Sequence, residues 1–303
     1  MNSVQRPALS GLLLAVTGAI AFSGKAIIVK LSYLYGVDAV TVIMYRMLFA
    51  LPFFIAMGVW AERQAIARAN PLTRRDVIDI VGLGFVGYYL SSYLDFLGLQ
   101  YITASLERLI LYLNPTLVVL LGWAVYKKPI HPIRMLAMAI SYCGVLLVFG
   151  HEVSLEGSHA AFGALLVLAS AISYAIYLSY SGQLVQRMGS LRLAGWATSV
   201  ACLLCIGQFV LLRPLHEALE VAPAVVWLSL LNAVACTAVP VLLVMMAIER
   251  IGPGLTAQTG MIGPMSTLLM GVFILGEPFN AWVLAGTALV LGGVFLVTRA
   301  PRV

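Results

Sequence analysis

The chain alternates long apolar runs with brief polar breaks. The runs lie near residues 8–32, 39–60, 77–99, 102–126, 132–150, 160–182, 192–212, 223–248, 252–275 and 279–298. Each is close to the roughly 20 apolar residues an α-helix needs to cross the hydrocarbon core of a bilayer. The pattern predicts an all-α integral membrane protein with ten transmembrane helices. The longest polar break, near 61–76, reads AERQAIARANPLTRRD, and no break is long enough for a soluble domain. The opening MNSVQRPALS resembles a signal peptide only superficially. The run after it is too long for a signal sequence and contains Lys25, so it reads as a retained first span.

Composition points the same way. Of the 303 residues, 62 % are hydrophobic and 10 % are charged, against about 25 % charged residues in a soluble domain. So few charges cannot cover a water-facing surface, so the lipid bilayer is the expected partner of the exterior. A net charge of +6 could point to nucleic acid in a soluble protein. Here the basic residues concentrate in short loops, where they set membrane orientation, and no nucleic-acid partner is expected. Cys143, Cys202, Cys205 and Cys236 all lie inside apolar runs, which argues against a disulfide framework. The CxxC spacing of Cys202 and Cys205 falls mid-helix and reads as two small core residues.

Thirteen of the eighteen Lys and Arg fall on one side of the predicted layout: Arg6, Arg63, Arg68, Arg74, Arg75, Lys127, Lys128, Arg134, Arg187, Arg192, Arg250, Arg299 and Arg302. Lys30 and Arg213 fall on the other side, while Lys25, Arg46 and Arg108 lie within spans. The bias places both termini in the cytoplasm of a bacterial-type inner membrane, which requires an even number of crossings.

The chain also repeats itself. LNPTLVVLLGWAVYKKP in the fourth run parallels IGPMSTLLMGVFILGEP in the ninth. Pro115 pairs with Pro264, Pro129 with Pro278, Gly122 with Gly271 and Gly144 with Gly293 at one common offset. The first and sixth runs align more weakly, through Gly11 with Gly163 and Phe22 with Tyr174. The unit is five spans, giving halves 1–150 and 151–303. An odd number of crossings makes the second copy enter from the opposite side, the inverted repeat of many secondary transporters.

These residues carry a family resemblance. FSGKAIIVKLSYLYGVDAVTVIMYRMLFALPFF resembles the opening pattern of the EamA type of the drug/metabolite transporter (DMT) superfamily, with a Lys late in the first helix (Lys30) and an Arg early in the second (Arg46). Pro115 and Pro264 match the family's mid-helix prolines, and Glu277 matches a Glu that often ends the ninth helix. In the first copy that place is Lys128, a departure. The Glu107-Arg108 pair is also absent from the common pattern. The resemblance implies two five-helix repeats and transport of amino acids or related small metabolites, as in the YddG-type exporters, which move aromatic amino acids among others.

Ionisable groups inside a span are costly and mark function or pairing. Lys25, Arg46, Asp95, Glu107 and Arg108 come from four helices of the first half and lie at one depth, roughly 6–12 Å from the outer ends at ~1.5 Å per residue. Two readings stay open. One is a structural ion-pair network; the other is a site whose spare positive charge binds a carboxylate or phosphate. Glu107 is expected to face the bundle, with Arg108 bracing a neighbouring helix or pairing with Asp95. Asp95 or Glu107 is the candidate for carrying a coupling proton. Lys30 is expected to reach the outer interface.

Polar stripes supply further substrate candidates. The third run offers Tyr88, Ser92 and Asp95; the sixth Ser170, Ser173, Tyr174, Tyr177 and Ser181; the ninth Thr256, Thr259, Gly260 and Gly263. Asn114 joins them as the residue seven after Glu107. Such stripes can line a cavity or glue helices together. Pro115 and Pro264 break their helices near mid-span, as hinges or as static kinks, and free carbonyls to line a cavity. The fifth and tenth runs are rich in small residues and read as scaffold, with dimer contact as the other option, so the protein is expected to be a monomer or a weak homodimer. His131, His151, His159 and His216 lie in or beside loops, and no catalytic, metal or cofactor constellation is present.

The sequence therefore predicts a secondary transporter of a small-molecule substrate, foremost an exporter of amino acids or similar metabolites. An importer of a small anionic metabolite is the second reading. A membrane enzyme acting on a lipid-linked substrate is the alternative of another class.

Overall fold

The computed structural model describes residues 5–63, 71–127, 130–156, 158–260 and 262–299. Arg68, Lys128, Pro129 and Arg302 of the sequence argument lie outside them. All regular structure among the described residues is helical. The helices are α1 (Gln5–Tyr33), α2 (Ala39–Glu62), α3 (Arg74–Gly98) and α4 (Ala104–Leu111 followed by Asn114–Tyr126). Then come α5 (Pro132–Glu156), α6 (Ser158–Met188) and α7 (Ser190–Leu212). The last three are α8 (Pro223–Ala233, Val234–Ala238 and Val239–Gly260), α9 (Gly263–Met270 and Gly271–Leu275) and α10 (Ala281–Arg299). Among the described residues, eight helices are long and apolar enough to cross a bilayer, and the shorter apolar helices Gly263–Leu275 and Ala281–Val297 complete ten.

The turn between the eighth and ninth crossings follows from contacts along α1. Gly11 packs against Ile251, Gly18 against Val244 and Gly24 against Cys236, so α8 runs antiparallel to α1. Ser23 Oγ then donates to Gly263 O at 2.9 Å. Residues 236 and 263 thus share one depth, with 251 far below it, so the chain reverses within the last turns of α8.

Packing follows the repeat. The most extensive pairings are α5 with α10, α2 with α7 and α1 with α8, and α3 packs on α6. Helices α2 and α7 are counterparts in the two halves, as are α5 and α10, and the α1–α8 pair corresponds to α6–α3. Each half therefore packs on the other about a common two-fold relation. At Gly144 the α5 backbone approaches α10 so closely that an added Cβ would lie 2.7 Å from Gly286 O. Gly144, Gly286 and Gly293 are consumed by packing within the chain, while Ala285 and Gly292 stay exposed.

The repeat extends to backbone irregularities. Helices α3 and α8 each widen into a π-turn, at Phe85–Leu90 and Val234–Ala238. These start 149 residues apart, the offset that relates Pro115 to Pro264. The widened turns leave carbonyls free for side chains: Ser173 Oγ donates to Val86 O at 2.6 Å and Thr237 Oγ1 to Asn232 O at 2.9 Å. A third π-turn, Gly271–Leu275, ends α9. Helices α4 and α9 both end on a left-handed residue at the same offset, Lys127 (φ 50°) and Gly276 (φ 69°). Glycine suits that conformation and lysine does not. Lys127→Gly is therefore expected to stabilise the protein by about 0.5–1 kcal/mol, measured as a raised thermal unfolding midpoint in detergent.

Ion pairs mark the two ends of the bundle. At the arginine-rich end Arg192 forks onto Glu62, Arg187 reaches Asp76 at 2.8 Å and Arg250 donates to Ser10 at 3.0 Å. At the far end Arg213 meets Asp38 at 2.7 Å.

Candidate functional site

The far half of the bundle holds a layer of charged and polar side chains from α1, α2, α3, α4 and α8. Lys25 projects from α1 between two carboxylates. Its Nζ lies 2.5 Å from Asp95 Oδ2 and 3.1 Å from Glu107 Oε1. Asp95 sits near the end of α3, and Glu107 sits in the first turn of α4, where the helix N-terminus favours negative charge. Glu107 is fully buried and Asp95 nearly so, while the Lys25 side chain keeps 15 % of its surface exposed. Asp95 Oδ1 and Glu107 Oε2 are buried without a partner, while Glu107 Oε1 is held by the ion pair with Lys25.

Arg46 is buried on α2 in the same layer. Its guanidinium carbon lies 5.1 Å from the centroid of the Phe96 ring, and Nε donates to Thr237 Oγ1 at 3.2 Å. Nη1 is buried without a partner. Thr237 donates onward to Asn232 O, and Asn232 Nδ2 donates to the backbone O of Lys25 at 3.4 Å. A connected path thus runs from Arg46 through α8 to Lys25 and the carboxylates. Asn232 Oδ1 is also buried and unpaired. Sequence reasoning missed Asn232 and Thr237. The signal for Asn232 was an amide in the middle of an apolar run, which is costly there unless used.

Arg108 belongs to the frame. Its Nη2 donates to Phe22 O at 3.0 Å and its Nε to Thr267 Oγ1 at 2.9 Å. It joins α4 to α1 and α9 and does not contact Asp95. Lys30, expected at the interface, instead donates to Ile102 O at 2.8 Å and Leu99 O at 3.3 Å, capping the end of α3.

The carbonyls freed by the two prolines are Leu111 O and Gly260 O. Asn114 Nδ2 occupies the first at 2.7 Å, and the hydroxyl of Tyr112 occupies the second from the opposite half. Neither is left to line a cavity, and Asn114 Nδ2 is committed to its own helix while its Oδ1 is buried without a partner. The aromatic stripe packs on itself. Tyr88 and Tyr177 share a hydroxyl contact of 3.0 Å, Tyr174 stacks on Tyr177 at 5.5 Å, and Tyr88 meets Tyr174 edge-on. On α3 it is Ser91 that bonds α6, through Ser170 at 3.1 Å, while Ser92 is half-buried. Thr259 Oγ1 donates within its own helix, to Leu255 O at 2.9 Å. Of the residues singled out in sequence, the structure thus gathers Lys25, Arg46, Asp95 and Glu107. It leaves Tyr88, Tyr174, Tyr177, Ser92, Asn114 and Thr259 in helix-to-helix or intrahelical roles.

The start of α4 is held from outside the layer. Glu277, in the α9–α10 connection, accepts from Ala104 N at 2.6 Å, Ser105 N at 3.2 Å and Ser105 Oγ at 2.7 Å. Glu152 of α5 accepts from Thr103 N at 3.3 Å and from its hydroxyl. His151 bonds Asn280 at 2.8 Å, and His159 stacks on Tyr101. These side chains of the far-end loops close over the layer and tie it to the second half.

Comparison with known proteins fixes the family. A model of the EamA-like transporter family matches residues 9–150 and again residues 161–299. YcbK of Bacillus subtilis (strain 168), described as an uncharacterized transporter, is 29 % identical over 303 aligned residues, covering 96 % of this chain and 92 % of that protein. An uncharacterized transporter of Archaeoglobus fulgidus is 22 % identical, covering 95 % and 96 %. A solved crystal structure at 17 % identity shares the fold, with a TM-score of 0.62 over 95 % of this chain and 96 % of its own. Family and relatives are transporters, which removes the membrane-enzyme alternative. Matched in both halves, this multi-pass membrane protein belongs to the EamA-like transporter family, within the drug/metabolite transporter superfamily.

Proposed function

We propose that the protein carries amino acids, aromatic ones included, or related small zwitterionic metabolites by alternating access between its two halves. We further propose that it exports them across a bacterial inner membrane, with both termini in the cytoplasm. The positive-inside count supports that orientation.

One observation carries the substrate class. A single buried layer holds unpaired atoms of both signs: Arg46 Nη1 as a donor, and Asp95 Oδ1, Glu107 Oε2 and Asn232 Oδ1 as acceptors. Unpaired buried polar groups cost roughly 1–3 kcal/mol each, more if charged, so a ligand that satisfies them is strongly favoured. A zwitterion offers a carboxylate to Arg46 and an ammonium to Asp95 and Glu107. A simple anion would satisfy only Arg46, since the donors of Arg108 described above are already engaged.

The test is counterflow in proteoliposomes with a panel of radiolabelled L-amino acids and organic anions. Accumulation of amino acids against an amino-acid-loaded interior is expected. Accumulation of organic anions alone would replace this reading with anion uptake. Arg46→Ala is expected to weaken apparent affinity about tenfold or more, the loss of one charge-assisted contact. Arg46→Lys, which keeps the charge but not the planar fork, is expected to recover part of it.

A further inference from the structure

Lys25 occupies the place that the proposed site reserves for a substrate ammonium. Its Nζ bridges Asp95 Oδ2 and Glu107 Oε1 at 2.5 and 3.1 Å. It is the most accessible member of the three, and its side chain ends in the same chemical group the substrate would present. Its backbone is anchored separately, through the Asn232 bond to Lys25 O, so the side chain can move without shifting α1. The Arg46 and Arg108 guanidiniums point elsewhere, at Thr237 and at Phe22 O with Thr267. No other Lys or Arg among the described residues forms an ion pair with Asp95 or Glu107.

We propose that Lys25 is a tethered stand-in for the substrate's ammonium group. It places one positive charge between Asp95 and Glu107 when the site is empty and swings away when substrate binds. The empty transporter can then change its facing side with the two carboxylates sharing a counter-charge, which makes net flux possible. This rests on the zwitterion reading of the site.

Without Lys25, the empty carrier must take the two carboxylates through the transition with no counter-charge between them, while the loaded carrier still has the substrate's ammonium there. Lys25→Gln is therefore expected to become an exchanger. Efflux into buffer without substrate falls about a hundredfold, the rate equivalent of a bare intramembrane charge. Exchange against external substrate persists, and apparent affinity rises because the internal competitor is gone.

The experiment loads proteoliposomes of purified protein with a radiolabelled L-amino-acid mixture. It compares efflux into empty buffer with efflux into the unlabelled mixture at constant pH, for wild type, Lys25→Gln and Lys25→Arg. Absence of both fluxes in wild type would strike the substrate reading itself. If wild type is active, equal efflux into empty buffer by Lys25→Gln would overturn the stand-in role, because something else, such as protons, would then neutralise the site. Loss of exchange as well, in a protein with wild-type elution and helix content, would also overturn it. Lys25→Arg is expected to restore part of the net efflux. A measurement on wild type covers the case of a misfolded variant. In wild type labelled with 15N at the lysine side chains, the Lys25 Nζ resonance is expected to shift when the unlabelled amino-acid mixture saturates the site. No change would exclude displacement of Lys25.

Discussion

Glu62→Leu is expected to destabilise the protein by about 3 kcal/mol, a larger loss than that from any other single substitution considered at the arginine-rich end. Arg192 is the reason. Its side chain is 97 % removed from solvent, being 3 % exposed, and it forks onto Glu62 with bonds of 2.7 Å from Nε and 2.6 Å from Nη2. Trp196 Nε1 adds a third bond to the same carboxylate at 3.1 Å. An apolar residue at 62 would leave a guanidinium buried at the α2–α7 contact with its main counter-charge gone. Glu62→Gln keeps acceptor and shape while losing the charge, so it is expected to cost about 1 kcal/mol. The double replacement Glu62→Leu with Arg192→Leu should recover most of the loss, since removing both partners of a buried pair is often neutral. Chemical or thermal unfolding in detergent reads all three. Equal stability of Glu62→Leu and wild type would show that Arg192 finds water or another partner.

At the opposite end, Glu277→Ala is expected to cost about 2 kcal/mol. The carboxylate satisfies two backbone N–H groups and one hydroxyl at the start of α4, two of them at 2.7 Å or less. It is a helix cap supplied from the other half of the molecule, so its removal frays α4 and loosens the α9–α10 connection together. Glu277→Gln should lose less, because the amide oxygen still accepts. Unfolding midpoints and protection of the Ala104 and Ser105 amides from hydrogen exchange measure the effect. Unchanged protection in Glu277→Ala would mean that the Thr103 hydroxyl, which accepts from Leu106 N at 3.1 Å, caps the helix alone.

Span number and repeat were legible because each depends on local composition. Runs of about twenty apolar residues, and Pro and Gly recurring at one offset, report directly on crossing and duplication. Pro115 does break α4, and Pro264 sits in the first turn of α9, just past the interruption that ends α8 at Gly260. What lay beyond sequence was the identity of partners. Glu277 and Ser105 are 172 residues apart, and Asn232 and Lys25 are 207 apart; no periodicity joins them. Depth grouping placed Lys25, Asp95 and Glu107 together, because residues equally far from a membrane face must share a layer. It could not tell which cation meets which carboxylate, and Arg108 went to a carbonyl and a threonine instead. The tyrosine stripe shows the opposite limit: hydroxyls at helical spacing suit a cavity wall and a helix seam equally well, and here they form a seam. The turn after the eighth run was legible too, since Glu249 and Arg250 interrupt the apolar stretch between 248 and 252.

A two-fold scaffold with identical halves would rest facing either side of the membrane with equal ease. The two copies here are not identical, and among their differences Glu277 in the second stands where Lys128 stands in the first. A carboxylate can hold the amides that begin a helix, and an ammonium cannot. If the protein alternates between two facing states as proposed, an inequality of about 2 kcal/mol from this source would set their populations about thirtyfold apart.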